Sequence, residues 1–202
     1  FRRYDGRKDV LKLHAGDAVT GTLYYTLFKG VADAALMNTV CFDAFALGNH
    51  EFDDGDAALA SFVDALHQGA CKTPVLSANV PPAAGTPMAG RIAPSTVKTV
   101  HGVRIGIVGL TIRGKTANSS RPLTSTVFED EATAAQRAID ALKKQGIRHI
   151  VLLSHQGYEA DKALAARLTD VDAIIGGDSH SLLGDFSAQG LSARGPYPTR
   201  VA

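Results

Sequence analysis

Four apolar runs, far apart along the chain, each close on a residue type that can ligate a metal ion. Val10-Leu11-Lys12-Leu13-His14-Ala15-Gly16 leads to Asp17, and Phe42, Ala44, Phe45, Ala46 and Leu47 lead to Gly48-Asn49-His50-Glu51. Ile150-Val151-Leu152-Leu153-Ser154 leads to His155, and Ala173-Ile174-Ile175-Gly176-Gly177 leads to Asp178 and His180. In open α/β sheets, ligands gather beyond the carboxyl ends of strands, so endings distant in sequence can meet at one edge. One such ending says little. Four together constrain the chain to a sheet whose strand ends converge on a polar site.

The remaining pattern agrees with a layered α/β fold. Short, β-branched runs bounded by Gly, Asp or Asn predict strands over Val10–His14, Ala44–Leu47, Pro74–Ala78, Thr96–Val100, Val103–Leu110, Ile147–Leu153 and Val171–Ile175. His101-Gly102 reads as a tight hairpin joining two of them, because Gly accepts the positive φ such turns need. Ala and Leu recurring at spacings of three and four predict helices over Val31–Asn38, Gly55–His67, Glu131–Gln145 and Tyr158–Leu168. Asp130 is placed to cap the third and Gly146 to end it. Strands alternating with helices imply a sheet covered by helices. Pro81 to Pro87 and Lys115 to Ser125 read as irregular polar loops.

Composition narrows the partners. The 202 residues suffice for one substantial core, and 21 basic against 20 acidic residues leave a formal charge of +1. No broad field exists to gather nucleic acid or anionic lipid. A local cationic centre has to come from bound metal. No apolar run nears the roughly 20 residues of a membrane span, and Phe1-Arg2-Arg3-Tyr4-Asp5 does not read as a signal peptide. Cys41 and Cys71 each precede a strand candidate. If those strands are parallel neighbours, the sulfurs start at one edge and can form a disulfide, which favours an oxidising compartment; the alternative is two buried thiols.

The polar endings suit phosphate-ester chemistry. Such esters resist hydrolysis partly because water must attack an anion, and two cations about 3.5–4 Å apart neutralise the phosphate and activate water. A carboxylate can bridge two ions, which is the role Asp17 fits, although a Gly-Asp after a strand is more often only a turn. Asn49 and His50, being adjacent at a strand end, can point apart, the amide toward a metal and the imidazole toward substrate. Asp53 is spaced to hold a His50 nitrogen and keep the ring protonated against developing phosphoryl charge; Asp53-Asp54-Gly55 can equally be a helix cap. His155 is either a ligand or a buried structural histidine. In Gly176-Gly177-Asp178-Ser179-His180, the glycines permit close backbone approach to an ion. His14, His67, His101 and His149 lack such settings and read as core, helix-surface or turn residues.

These residues resemble the catalytic domain of the 5′-nucleotidases, within the calcineurin-like metallophosphoesterases. The similar blocks are Leu13 to Asp17, Gly21-Thr22 with Lys29-Gly30, Asp43 to Asp53, Leu76-Ser77-Ala78-Asn79, Ser154-His155 and Gly176 to His180, in family order across nearly the whole chain. The resemblance implies a layered α/β/β/α sandwich and two divalent metal ions, zinc or manganese. It implies that Asp17 bridges them, that Asn49, His155, Asp178 and His180 complete the ligands, and that His50 and Asp53 form a catalytic dyad. The commoner family residue at position 178 is His, so the ligand role of Asp178 is less secure. The implied reaction is attack of metal-bound hydroxide on a nucleoside 5′-monophosphate or related nucleotide. The alternatives are a 2′,3′-cyclic phosphodiesterase with 3′-nucleotidase activity, or a non-catalytic fragment of such an enzyme.

The family's first strand carries Asp-x-His, which no residue before Val10 supplies, and its C-terminal nucleotide-binding domain is not represented. Residues 1–202 are therefore expected to be most of an N-terminal catalytic domain, incomplete at both ends and inactive alone, with a further segment or second chain supplying Asp-x-His. The resemblance also implies a periplasmic, secreted or cell-surface location.

Overall fold

A computed structural model describes residues 2–201. Among the described residues, seven strands form two sheets. The first is wholly parallel, with β1 (Leu13–His14), β2 (Ala44–Ala46) and β3 (Val75–Leu76) in that order. The second runs β4 (Ser95–Val100), β5 (Val103–Thr111), β6 (His149–His155), β7 (Ala173–Gly176); only its β4–β5 pair is antiparallel. The turn between β4 and β5 is the expected one, His101 at φ 49° and Gly102 at φ 80°. Two successive left-handed residues match the right-handed twist of the flanking strands.

Alternation along the strands builds the layers. Phe45 and Leu47 point into a core with Phe52, Leu59, Phe62, Val63 and Leu66, packed against α2 (Val31–Val40) and α3 (Gly55–Gln68). Ala44 and Ala46 point the other way, into a thin seam with Leu76, Ile107 and Leu153. Beyond the second sheet, Val108, Leu110, Ile150 and Leu152 meet Ala134, Ala135, Ala138, Ile139 and Leu142 of α5 (Glu131–Lys144), with Leu164 of α6 (Tyr158–Ala165). The order is helix, sheet, sheet, helix, as expected. Small side chains hold the seam thin, and at Gly109 a Cβ would stand 2.4 Å from the Leu76 Cβ. No real side chain fits there without moving one sheet off the other.

Local signals explain most element ends. The Asp130 carboxylate accepts from the Thr133 N–H at 2.9 Å and caps α5, and Gly146 follows its last turn at φ 77°. Cys41 and Cys71 precede the parallel neighbours β2 and β3, and they are joined as a disulfide with Cα atoms 5.3 Å apart. His14 stacks edge-on against Phe42 and Phe45, as a core residue.

Two helices depart from expectation. Leu23–Phe28 forms a short α1, capped by the Thr22 hydroxyl, which accepts from the Tyr25 N–H. It buries no residue, so no apolar periodicity announced it. Arg113–Ser119 forms α4, where an irregular stretch beginning at Lys115 was expected. Only Thr116 of α4 is buried, leaving the sequence no repeating apolar face. Among the described residues, no helix is long and apolar enough to cross a membrane.

Candidate active site

The ends of β1 and β2 are bound together through their main chains. Glu51 is buried, and its carboxylate accepts from the N–H groups of Asp17 at 2.9 Å, Ala18 at 2.6 Å and Gly48 at 2.6 Å. Asp17 Oδ1 in turn accepts from the His50 N–H at 3.0 Å. Charge-assisted bonds of this kind are among the stronger ones a fold can make. They fix the Asp17 loop against the loop carrying Asn49 and His50. Contact is so close that a Cβ on Gly48 would lie 2.2 Å from Asp17 Oδ1. Asp17 itself has φ 57°, a left-handed conformation that Asp adopts more readily than most residues.

From the second sheet, β6 delivers His155 into the same space. Its Nε2 lies 3.0 Å from Asp17 Oδ2 and 3.6 Å from Asp178 Oδ1. On the other side of the ring, Nδ1 approaches the Ala15 carbonyl at 2.5 Å, which orients Nε2 toward the two carboxylates. Asp178, just past β7, has φ 70° and is bonded through Oδ1 to the ammonium of Lys115 on α4. His180 also lies in the left-handed region, at φ 50°, but its ring is exposed and makes no hydrogen bond or ion pair among the described residues. The strand ends thus bring Asp17, Asn49, His155 and Asp178 together and leave His180 outside that set of contacts.

His50 and Asp53 form a close pair, Nδ1 to Oδ2 at 2.6 Å. Asp53 does not cap α3; the N-cap is Asp54, whose side chain makes no capping bond. The Ser120 hydroxyl stands 2.8 Å from both Asp53 Oδ1 and the Asn49 carbonyl oxygen, fixing the dyad from behind. The hydrogen bond to Asp53 holds the His50 pKa above its ordinary value, with Asp17 adding to the effect. His50 therefore favours the charged form that can face an anion. A cleft of about 550 Å³ opens beside it, lined by Thr20, Asn49, Asp54, Lys115 and Arg121 among others.

Burial raises the Glu51 pKa, and the charge of Asp17 pushes in the same direction, against the three N–H donors. For Asp17, burial is outweighed by His155 and by the His50 N–H, so its carboxyl stays below the usual range and is ionised at neutral pH.

The donor set fits a divalent cation. Asn49 Oδ1 is buried without a hydrogen-bond partner, an expensive state unless another ligand satisfies it, and His155 Nε2 faces the Asp17 and Asp178 carboxylates. Neutral oxygen and nitrogen donors beside the Asp17 carboxylate suit a borderline metal. Among the described residues, His, Cys, Asp and Glu form no ready three-ligand group, Asp178 being held by Lys115 and His180 standing apart.

Glu51, Lys115, Ser120 and Asp161 entered no sequence-based assignment of roles. Asp161 is buried on α6 and accepts from Ser154, next to His155, at 2.6 Å. Only Glu51 carried a signal, as a member of the Gly48-Asn49-His50-Glu51 block.

The family model described as calcineurin-like phosphoesterase matches residues 4–182. The chain belongs to the calcineurin-like phosphoesterase family. Calcineurin-like phosphoesterases bind divalent metals, in keeping with the orphaned Asn49 oxygen at this site. The chain is 46% identical over 196 residues to a probable 5′-nucleotidase of Treponema pallidum, covering 96% of this chain and 32% of that protein. It is 47% identical over 184 residues to the NAD 5′-nucleotidase of Haemophilus influenzae, covering 91% and 30%. The solved 5′-nucleotidase precursor from Thermus thermophilus superposes with a TM-score of 0.90 at 43% identity, over 98% of this chain and 38% of that one. The chain thus spans about a third of the length of these relatives.

Proposed function

We propose that this domain belongs to a phosphohydrolase that releases phosphate from nucleoside 5′-monophosphates or related nucleotides, using two divalent ions, zinc or manganese. The observation that carries the reading is the orphaned Asn49 Oδ1, buried beside the ionised Asp17 and next to the His50–Asp53 pair. Relatives named as 5′-nucleotidases, at more than 40% identity, support the substrate class. Asp17, Asn49 and His155 would hold the ions, with Asp178 and His180 as further ligands. The ions would supply Lewis acidity and an activated water at neutral pH.

The chain's own groups do the rest. Asn49 offers an oxygen without adding negative charge, so the site stays attractive to a phosphate. His50, kept charged by Asp53, donates toward the phosphoryl oxygens as their charge grows. Ser120 and Glu51 keep those groups from rearranging during turnover.

Residues 1–202 are read as most of a catalytic domain, with a further segment or second chain completing the metal ligands and another region gripping the nucleoside. A relative named as a precursor and another as a snake venom form support a secreted or surface location, which the Cys41–Cys71 bond suits.

Colorimetric phosphate release from AMP, with zinc or manganese added, tests the activity in the protein that carries this domain. His50→Ala is expected to lower kcat by on the order of 10²–10⁴ with the fold intact. Unchanged turnover in that variant would overturn the reading. The 202 residues alone are expected to bind metal and turn over little.

A further inference from the structure

Asp178 offers its two oxygens to different neighbours. Oδ2 is turned toward Gly157, where a Cβ would lie 3.2 Å away. Oδ1 faces the site, 3.6 Å from His155 Nε2, and it is this oxygen that the Lys115 ammonium bonds. The aspartate side chain is only 10% exposed, whereas the lysine is 42% exposed and lines the cleft beside Asn49 and His50. A mostly buried carboxylate needs a counter-charge. Lysine supplies it here as a point charge on a flexible four-carbon stem, able to leave without disturbing the fold.

We propose that Lys115 is a tethered counter-ion, seated on the one Asp178 oxygen that a divalent metal would use. Resting on the metal-centre reading above, this makes the ammonium and the metal competitors for Oδ1. Once displaced, the ammonium remains in the cleft beside His50 and turns to an anion bound there. Lys115 therefore weakens metal binding in the empty site and strengthens phosphate binding in the loaded one. The two effects have opposite signs, which separates this role from a simple structural one.

The test uses Mn²⁺ and inorganic phosphate as probes, read by titration calorimetry on the protein that carries this domain. Lys115→Met is expected to bind Mn²⁺ about tenfold more tightly than wild type, since the ion no longer has to displace an ammonium from Asp178 Oδ1. With Mn²⁺ saturating, the same variant is expected to bind phosphate about tenfold more weakly. Lys115→Arg, which keeps the charge, should stay within about twofold of wild type in Mn²⁺ affinity, and Lys115→Gln should follow the Met variant. In an Asp178→Asn background the effect of Lys115→Met on Mn²⁺ should vanish. Equal or weaker Mn²⁺ binding by Lys115→Met, with an unchanged melting curve, overturns the proposal. So does a full tenfold tightening in the Asp178→Asn background, which would mark a general field effect. If wild type and every variant bind no Mn²⁺, the metal-centre reading itself fails, a different result from wild-type binding unaffected by Lys115.

Discussion

The two halves of the site are held by different means. At the β1–β2 edge, Asp17 and Asn49 are fixed through main-chain groups, three of which converge on the buried Glu51 carboxylate. At the β6–β7 edge, Asp178 is held by a side chain, Lys115, that reaches in from α4 and stays partly in solvent. Main-chain anchoring leaves few rotamers to change, so the first half is set once the loops fold. Side-chain anchoring can be exchanged for another cation. One site thus combines a preformed half with an adjustable one, the second able to respond to what binds.

Glu51→Gln should break the fixed half most severely. The Gln amide places an NH₂ where an N–H already points, so either Ala18 or the Asp17 and Gly48 pair meets a donor with a donor. A loss of about 4 kcal/mol is expected, measured by urea unfolding followed by circular dichroism, together with loss of metal binding. A cost below about 1 kcal/mol would show that the loops hold without Glu51.

On the adjustable side, Asp161 supports the β6 end from α6. Burial pushes its pKa up to about 6, despite the Ser154 O–H that favours the charged form. The folded state therefore holds this proton more tightly than the unfolded state. Stability from this group is fully present below about pH 4 and is lost as pH rises through about 6, by about 3 kcal/mol in total. Asp161→Asn should flatten that part of the stability curve. If the metal-free Asp161→Asn variant keeps the wild-type slope, the pH dependence originates elsewhere.

The smallest effect serves as a control on the comparison. Asp130→Ala removes the α5 cap outside the site and should cost about 1 kcal/mol in thermal or urea melts, with Mn²⁺ affinity unchanged. A shift in metal binding would show that the second layer transmits strain to His155 after all.

Strands were legible wherever a β-branched run was buried on both faces, as in β5 and β6, although β1 and β3 are shorter than their apolar runs. Helices were legible where one face is buried; α1 and α4 lack such a face and left no pattern. Within the site, Asp17, Asn49, His50 and His155 were readable because each stands at or just after a strand end, where the topology decides the neighbourhood. Lys115 and Ser120 were not. Their partners, Asp178 and Asp53, lie 63 and 67 residues away, and the pairing depends on an inconspicuous helix. His180 shows the converse: its residue type suggests a ligand, yet its ring stands in solvent.

The two halves belong to different sheets, which meet at the seam of Gly109 and Leu76, close beneath the strand ends that carry the site. The separation between Asp17 and His155 is therefore inherited from how closely two β-layers stack. A methyl group added at position 109 would pry those layers apart, and the error would surface just beyond it, at the strand ends, as a changed distance between Asp17 and His155.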